Sequence, residues 1–145
     1  MKKHILTAII LFFSFLFTSC EKYPDSLCPC GKVEISKKEY IAMCILPDIV
    51  SENSVNKLRI ENHTKKDVTY GAHFYMEYFF EDKWSPIAWD FYFTDIGYIL
   101  YSYKSIEWEM NLYSLAEKYN DTKKGKYRII KNVGKCNLVA EFELK

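Results

Sequence analysis

Glycine and proline are scarce in this chain, five and four among 145 residues. No stretch rich in Gly, Pro or Ser divides it, and no internal repeat or low-complexity tract interrupts it, so it reads as one domain. An apolar run long enough to span a bilayer is missing as well. The longest, Ile5 to Phe17, would make roughly 20 Å of helix at about 1.5 Å per residue, against a hydrocarbon core of ~30 Å. A short basic start, Met1-Lys2-Lys3-His4, precedes it and the small residues Thr18-Ser19 follow it. That order predicts a cleaved secretory signal over residues 1–19 rather than a stable membrane span. A dominant charge is also lacking, since 20 Lys and Arg stand against 19 Asp and Glu. Losing residues 1–19 removes Lys2 and Lys3 and no acidic residue, so the remaining 126 residues carry a formal charge of −1. With its lysines dispersed among carboxylates, the chain has neither a field for nucleic acid nor a polybasic patch for lipid headgroups.

Signatures of catalysis are missing too. There is no H-E-x-x-H, no P-loop, no G-x-G-x-x-G and no nucleophile-elbow motif. His63 falls in a predicted turn and His73 on a predicted polar strand face. Glu107 and Glu109 share one strand face, which a solvated surface explains. The expectation is a protein that is not an enzyme and needs neither cofactor nor metal.

Five cysteines are present, at positions 20, 28, 30, 44 and 136. Export into an oxidising compartment makes Cys28, Cys30, Cys44 and Cys136 candidates for disulfides, with three connectivities open. Free thiols are the next reading and a metal site the last. Cys28-Pro29-Cys30 has one intervening residue where a redox C-x-x-C has two, and paired C-x-x-C knuckles are absent.

What the chain does have is alternation. Val33 and Ile35 alternate with Glu34 and Ser36, and Leu58 and Ile60 with Lys57, Arg59 and Glu61. Ala72 to Phe80 reads as one strand, with Ala72, Phe74, Met76, Tyr78 and Phe80 on one face. Trp84 to Trp89 is short and carries Pro86, hence an edge. Ile106, Trp108 and Met110 alternate with Glu107 and Glu109. Gly125 opens a strand with Tyr127 and Ile129 on one face, and Val133-Gly134-Lys135 turns it into a last strand carrying Leu138, Ala140, Phe142 and Leu144. Leu112, Leu115, Ala116 and Tyr119 fall at helical spacing. Seven or eight short strands with turns between them predict an all-β fold, an antiparallel sandwich whose sheets each keep one wet face. Residues 20–32, with Pro24, Pro29 and Gly31, predict a tether ahead of a domain over 33–145.

Phe17-Thr18-Ser19-Cys20 resembles the lipobox of bacterial lipoproteins. The resemblance implies that Cys20 is lipidated and becomes the first mature residue, anchoring the protein at a membrane of the cell envelope, the outer membrane by preference, on its periplasmic or surface face. Gly125-Lys126-Tyr127 resembles the tyrosine corner of immunoglobulin-like sandwiches, with Ile129 where antibody domains carry a cysteine. Further stretches are similar to a group of bacterial immunoglobulin-like domains: Leu58-Arg59-Ile60-Glu61-Asn62, Tyr70-Gly71, Glu77-Tyr78, Asp82-Lys83-Trp84, Ile96-Gly97-Tyr98 and Ala140-Glu141-Phe142. Relative to that pattern Ile41 to Asn53 looks like an insertion. In such sandwiches the first strand often runs parallel to the last, which implies a pairing of Cys28 or Cys30 with Cys136. If Val33 to Cys44 runs extended, Cys30 and Cys44 lie roughly 40 Å apart, too far to bridge.

The aromatic stretch Trp89 to Tyr103 holds more rings than one strand face can bury. Trp89, Tyr92, Tyr101 and Tyr103 are therefore the candidate binding surface, since Tyr and Trp anchor partners and stack on sugars. The resulting expectation is a lipid-anchored envelope protein with a non-catalytic binding or accessory role, its partners the membrane through its lipid and an envelope protein or glycan. The alternative is a periplasmic inhibitor or immunity lipoprotein that blocks a toxin or hydrolase.

Overall fold

The computed structural model describes residues 31–88, 92–121 and 123–145. In chain order the elements are β1 (Val33–Ser36), β2 (Glu39–Leu46), β3 (Ile49–Val50), β4 (Asn56–Asn62), β5 (Val68–Gly71), β6 (Tyr75–Phe80), β7 (Lys83–Pro86), β8 (Gly97–Leu100), β9 (Ser105–Met110), α1 (Leu112–Asn120), β10 (Gly125–Val133) and β11 (Cys136–Leu144). Two sheets form, one in the order β1-β2-β4-β9 and one in the order β3-β11-β10-β5-β8. In the second sheet β6 also pairs with β10, and β7 pairs with β6 alone, so the strand carrying Pro86 lies at an edge as expected. Every pairing is antiparallel except that of β3 with β11.

Alternation explains why the sheets stack. Leu58 and Ile60 of β4, Tyr127, Ile129 and Val133 of β10, and Leu138, Ala140, Phe142 and Leu144 of β11 are all buried in one core. Each fully buried aliphatic side chain contributes roughly 1.5–3 kcal/mol. Gly134, in the left-handed region at φ 59°, closes the β10–β11 hairpin with Val133 opposite Cys136. Glu81 and Asp82, both at positive φ, make the tight turn between β6 and β7. Helix α1 drops Leu112 and Ala116 into the core, and Asn111 caps it by accepting from the Ser114 N–H at 2.9 Å. Among the described residues no helix is long and apolar enough to cross a membrane.

Three expectations need correction. Ile41 to Asn53 is no insertion, because it contains the central strand β2, which buries Ile41, Met43 and Ile45 on one face and Tyr40, Ala42 and Cys44 on the other. Burial on both faces erases the period-two pattern, so the segment did not look like a strand. A cis Leu46–Pro47 peptide follows, and β3 then joins the opposite sheet beside β11. The parallel partner of the last strand is therefore β3, not the first strand. Nor is Ala72 to Phe80 one strand. The chain leaves β5 at Gly71 and resumes pairing at Tyr75, so that β10 meets β6 along Tyr127–Ile130 and β5 at Val133.

The cysteines are the third case. Cys136 is a free thiol, which overturns its pairing with Cys28 or Cys30. Cys44 is disulfide-bonded, and not to Cys136. Cys20, Cys28 and Cys30 lie outside the described residues. The premise of an extended run to Cys44 fails because β1 turns at Lys37–Lys38 and returns as β2. Val33 stands opposite Ile41, and the Gly31 carbonyl accepts from the Met43 N–H at 3.3 Å.

Candidate functional site

Two surfaces concentrate chemistry, and the turn between β8 and β9 presents the first. Tyr92 is 98% exposed, Tyr101 60% and Tyr103 61%; Trp89, the fourth residue of that expectation, lies outside the described residues. Buried Asn62, at the end of β4, holds the turn in place. Its side-chain N–H groups reach the carbonyls of Lys66, Leu100 and Tyr101 at 2.9, 3.1 and 3.2 Å, while its backbone N–H donates to the Lys104 carbonyl at 2.9 Å. Asp67 accepts from the Ser102 N–H at 2.8 Å. Asn62 and Asp67 read as ordinary turn residues in the sequence, yet they fix the frame on which Tyr101 and Tyr103 stand.

The second surface is a cleft of about 330 Å³ lined by Tyr70, Gly71, Ala72, Tyr98, Ile106, Trp108 and Lys131. It opens where edge strand β8 of one sheet comes near edge strand β9 of the other. Tyr70 stacks on Tyr98 with centroids 5.4 Å apart, and lies nearly parallel to Trp108 at 6.3 Å. Burial, with Tyr98 beside it, pushes the Tyr70 phenol above its usual range. Lys131 comes off β10 at the level where the ladder passes from β6 to β5. Its side chain is only 1% exposed, and Nζ donates to the carbonyls of Gly71 at 2.5 Å and His73 at 3.0 Å. The ammonium also lies 5.7 Å from the Tyr70 ring centroid and 5.6 Å from that of Trp108. Burial lowers its pKa to about 8. Inward parity with Tyr127 and Ile129 was the signal in the sequence, but lysine is so seldom fully buried that its residue type argued the other way.

Tyr127 belongs to the fold and not to either surface. Its hydroxyl donates to the Lys123 carbonyl and accepts from the Asn120 side-chain N–H at 2.9 Å, the corner contact expected from Gly125-x-Tyr127. Burial raises its pKa; the Asn120 bond opposes the rise and neighbouring Tyr78 adds to it.

On the outer face of the first sheet, buried Glu61 lies 2.6 Å from Arg59 Nε, outside hydrogen-bond angles, and 2.9 Å from His63 Nε2. His63 stacks on Tyr40 at 4.4 Å, and Arg59 also reaches Glu107 at 3.3 Å. One Glu61 oxygen meets His63 and the other only the charge of Arg59, and through Tyr40 and Glu107 this network ties β4 to its neighbours. His73, in the β5–β6 connection, packs edge-on against Tyr75 and Phe93. Among the described residues no three potential ligands gather to hold a metal ion.

A two-sheet β-sandwich whose strand β3 runs parallel to β11, pinned by a tyrosine corner, defines an immunoglobulin-like domain. A family model described as a bacterial Ig-like domain matches residues 37–143, and the chain belongs to that family. No curated protein matches the chain. Solved structures that share similarity include the alkylpurine DNA glycosylase AlkC of Pseudomonas fluorescens bound to DNA containing an abasic site analog. It is 13% identical with a TM-score of 0.38, over 74% of this chain and 30% of that one. A β-glucosidase mutant from Listeria innocua in complex with laminaribiose is 11% identical with a TM-score of 0.40, over 74% of this chain and 16% of that one. The chain thus spans less than a third of either protein.

Proposed function

We propose that this chain is a lipid-anchored cell-envelope protein, held at the outer membrane through Cys20, that serves as a non-catalytic binding or accessory module. The observation that carries the binding role is the exposure of Tyr92, Tyr101 and Tyr103, two of them on a turn fixed by Asn62 and Asp67. Rings that stay in water add nothing to the core, and a rigid turn lowers the entropy lost when a partner binds. The anchor is supported by the apolar run ending in Thr18-Ser19-Cys20. Stable anchoring needs two acyl chains or more, since one gives only marginal binding.

Tyr92→Ala, Tyr101→Ala and Tyr103→Ala should each leave stability within about 0.5 kcal/mol and reduce binding to envelope glycans or proteins. If all three variants melt early, or if all three bind like the parent, the surface is not a recognition site. Cys20→Ala should abolish fatty-acid labelling, and labelling that persists would end the anchoring claim.

A further inference from the structure

Lys131 is buried in the core of a sandwich and has no carboxylate partner among the described residues. An ammonium carries three N–H groups, and the protein supplies two carbonyl acceptors, those of Gly71 and His73. Neutral carbonyls and aromatic faces soften a buried cation but do not neutralise it, and removing a charge from water without a counter-charge is costly. A structural strut between β10 and the β5–β6 connection would need no cleft beside it. Here the Lys131 side chain lines a cleft of about 330 Å³, at the small end of ligand-site volumes and of a size for one ring.

The rest of the lining fits such a guest. Tyr98 and Trp108 are aromatic walls of the cleft, both stacked on buried Tyr70, and Tyr98, 42% exposed, is the most accessible of the three rings. Aromatic faces pack against the apolar face of a sugar ring or against another aromatic ring, while the ammonium selects a negative head. Among the described residues no charged side chain other than Lys131 lines the cleft, so there a carboxylate meets a cation and no competing anion.

We propose that the cleft between β8 and β9 binds a small ring-bearing carboxylate, of the acidic-sugar class, with its carboxylate on Lys131 Nζ and its ring against Tyr98 and Trp108. The acid supplies the counter-charge that the fold withholds. This site is separate from Tyr92, Tyr101 and Tyr103, so either reading can fail while the other stands.

The test is titration of the ¹⁵N-labelled domain with glucuronate, with benzoate as an aromatic acid and glucose as the neutral control. Glucuronate should shift the Gly71 and Tyr98 amides and the Trp108 indole N–H, and glucose at the same concentration should bind about tenfold more weakly or not at all. Lys131→Met should lower glucuronate affinity about tenfold or more. Tyr98→Ala, at a partly exposed position, should weaken binding severalfold while the domain stays folded, with a smaller loss of stability than a core truncation. If Lys131→Met does not fold, the shift map and Tyr98→Ala still decide. Binding by benzoate but not glucuronate would keep the charge recognition and overturn the sugar class. No shifts at the cleft with either acid, equal binding of glucose, or unchanged affinity in Tyr98→Ala would overturn the site.

Discussion

Tyr127 and Lys131 lie on the same inward face of β10, one helical-turn's worth of sequence apart, and both bring a polar group into the interior. Their surroundings differ. The Tyr127 hydroxyl both donates and accepts, to Lys123 and from Asn120, and its ring packs between Tyr78 and Phe142. Lys131 has acceptors but, among the described residues, no anion, and a cleft beside it. A buried polar group whose capacity is met serves the fold. One whose charge is left over, next to a cleft, is where we place the proposed acid.

The largest effect that sharpens this contrast is at Tyr127. Tyr127→Ala removes a fully buried ring and should cost about 3–5 kcal/mol, whereas Tyr127→Phe keeps the ring and strands only the Asn120 and Lys123 groups, at about 1–3 kcal/mol. Chemical denaturation checks both values, and a Phe variant as stable as the parent would show that the corner bond is dispensable.

Lys131 should instead reveal itself through pH. A lysine whose folded pKa is about 8, below its unfolded value of 10.5, is penalised as a cation in the fold. The unfolded chain then binds more protons between those values, so stability rises with pH across that window. By pH 9.5 the gain should reach about 2 kcal/mol over pH 7. Tyrosines with raised pKa values act in the opposite sense above pH 10, which sets the upper limit of the measurement. Lys131→Met should flatten the slope, and an equal slope in that variant would refute the buried cation.

The smallest effect is covalent and carries no energy. Under non-reducing conditions Cys136 should be alkylated in the folded protein and Cys44 should not. Peptide mapping should find Cys44 joined to a cysteine other than Cys136. A peptide joining Cys44 to Cys136 would contradict the fold.

Strands with one wet face were readable from residue order. Leu58 and Ile60 against Lys57 and Arg59, and Leu138 to Leu144 against Glu141 and Glu143, carry the pattern in their own side chains. Strand β2 did not, because Tyr40, Ala42 and Cys44 are as buried as Ile41, Met43 and Ile45. The break after Gly71 was hidden for a related reason: apolar parity continues through Phe74 and Met76 even though the hydrogen-bond partner changes. Of the surfaces, the excess of aromatic rings pointed to Tyr92, Tyr101 and Tyr103. The cleft did not announce itself, since Tyr70, Trp108 and Lys131 come from three distant strands and only their packing makes them neighbours.

The disulfide at Cys44 has a mechanical consequence. A pull delivered through that bond enters the domain within β2. The tug falls on a strand clamped between β1 and β4, where many hydrogen bonds share it, and not on the rim, where they would yield one after another. Force arriving by this route is met by shear along two neighbouring strands, the geometry in which a sheet resists longest.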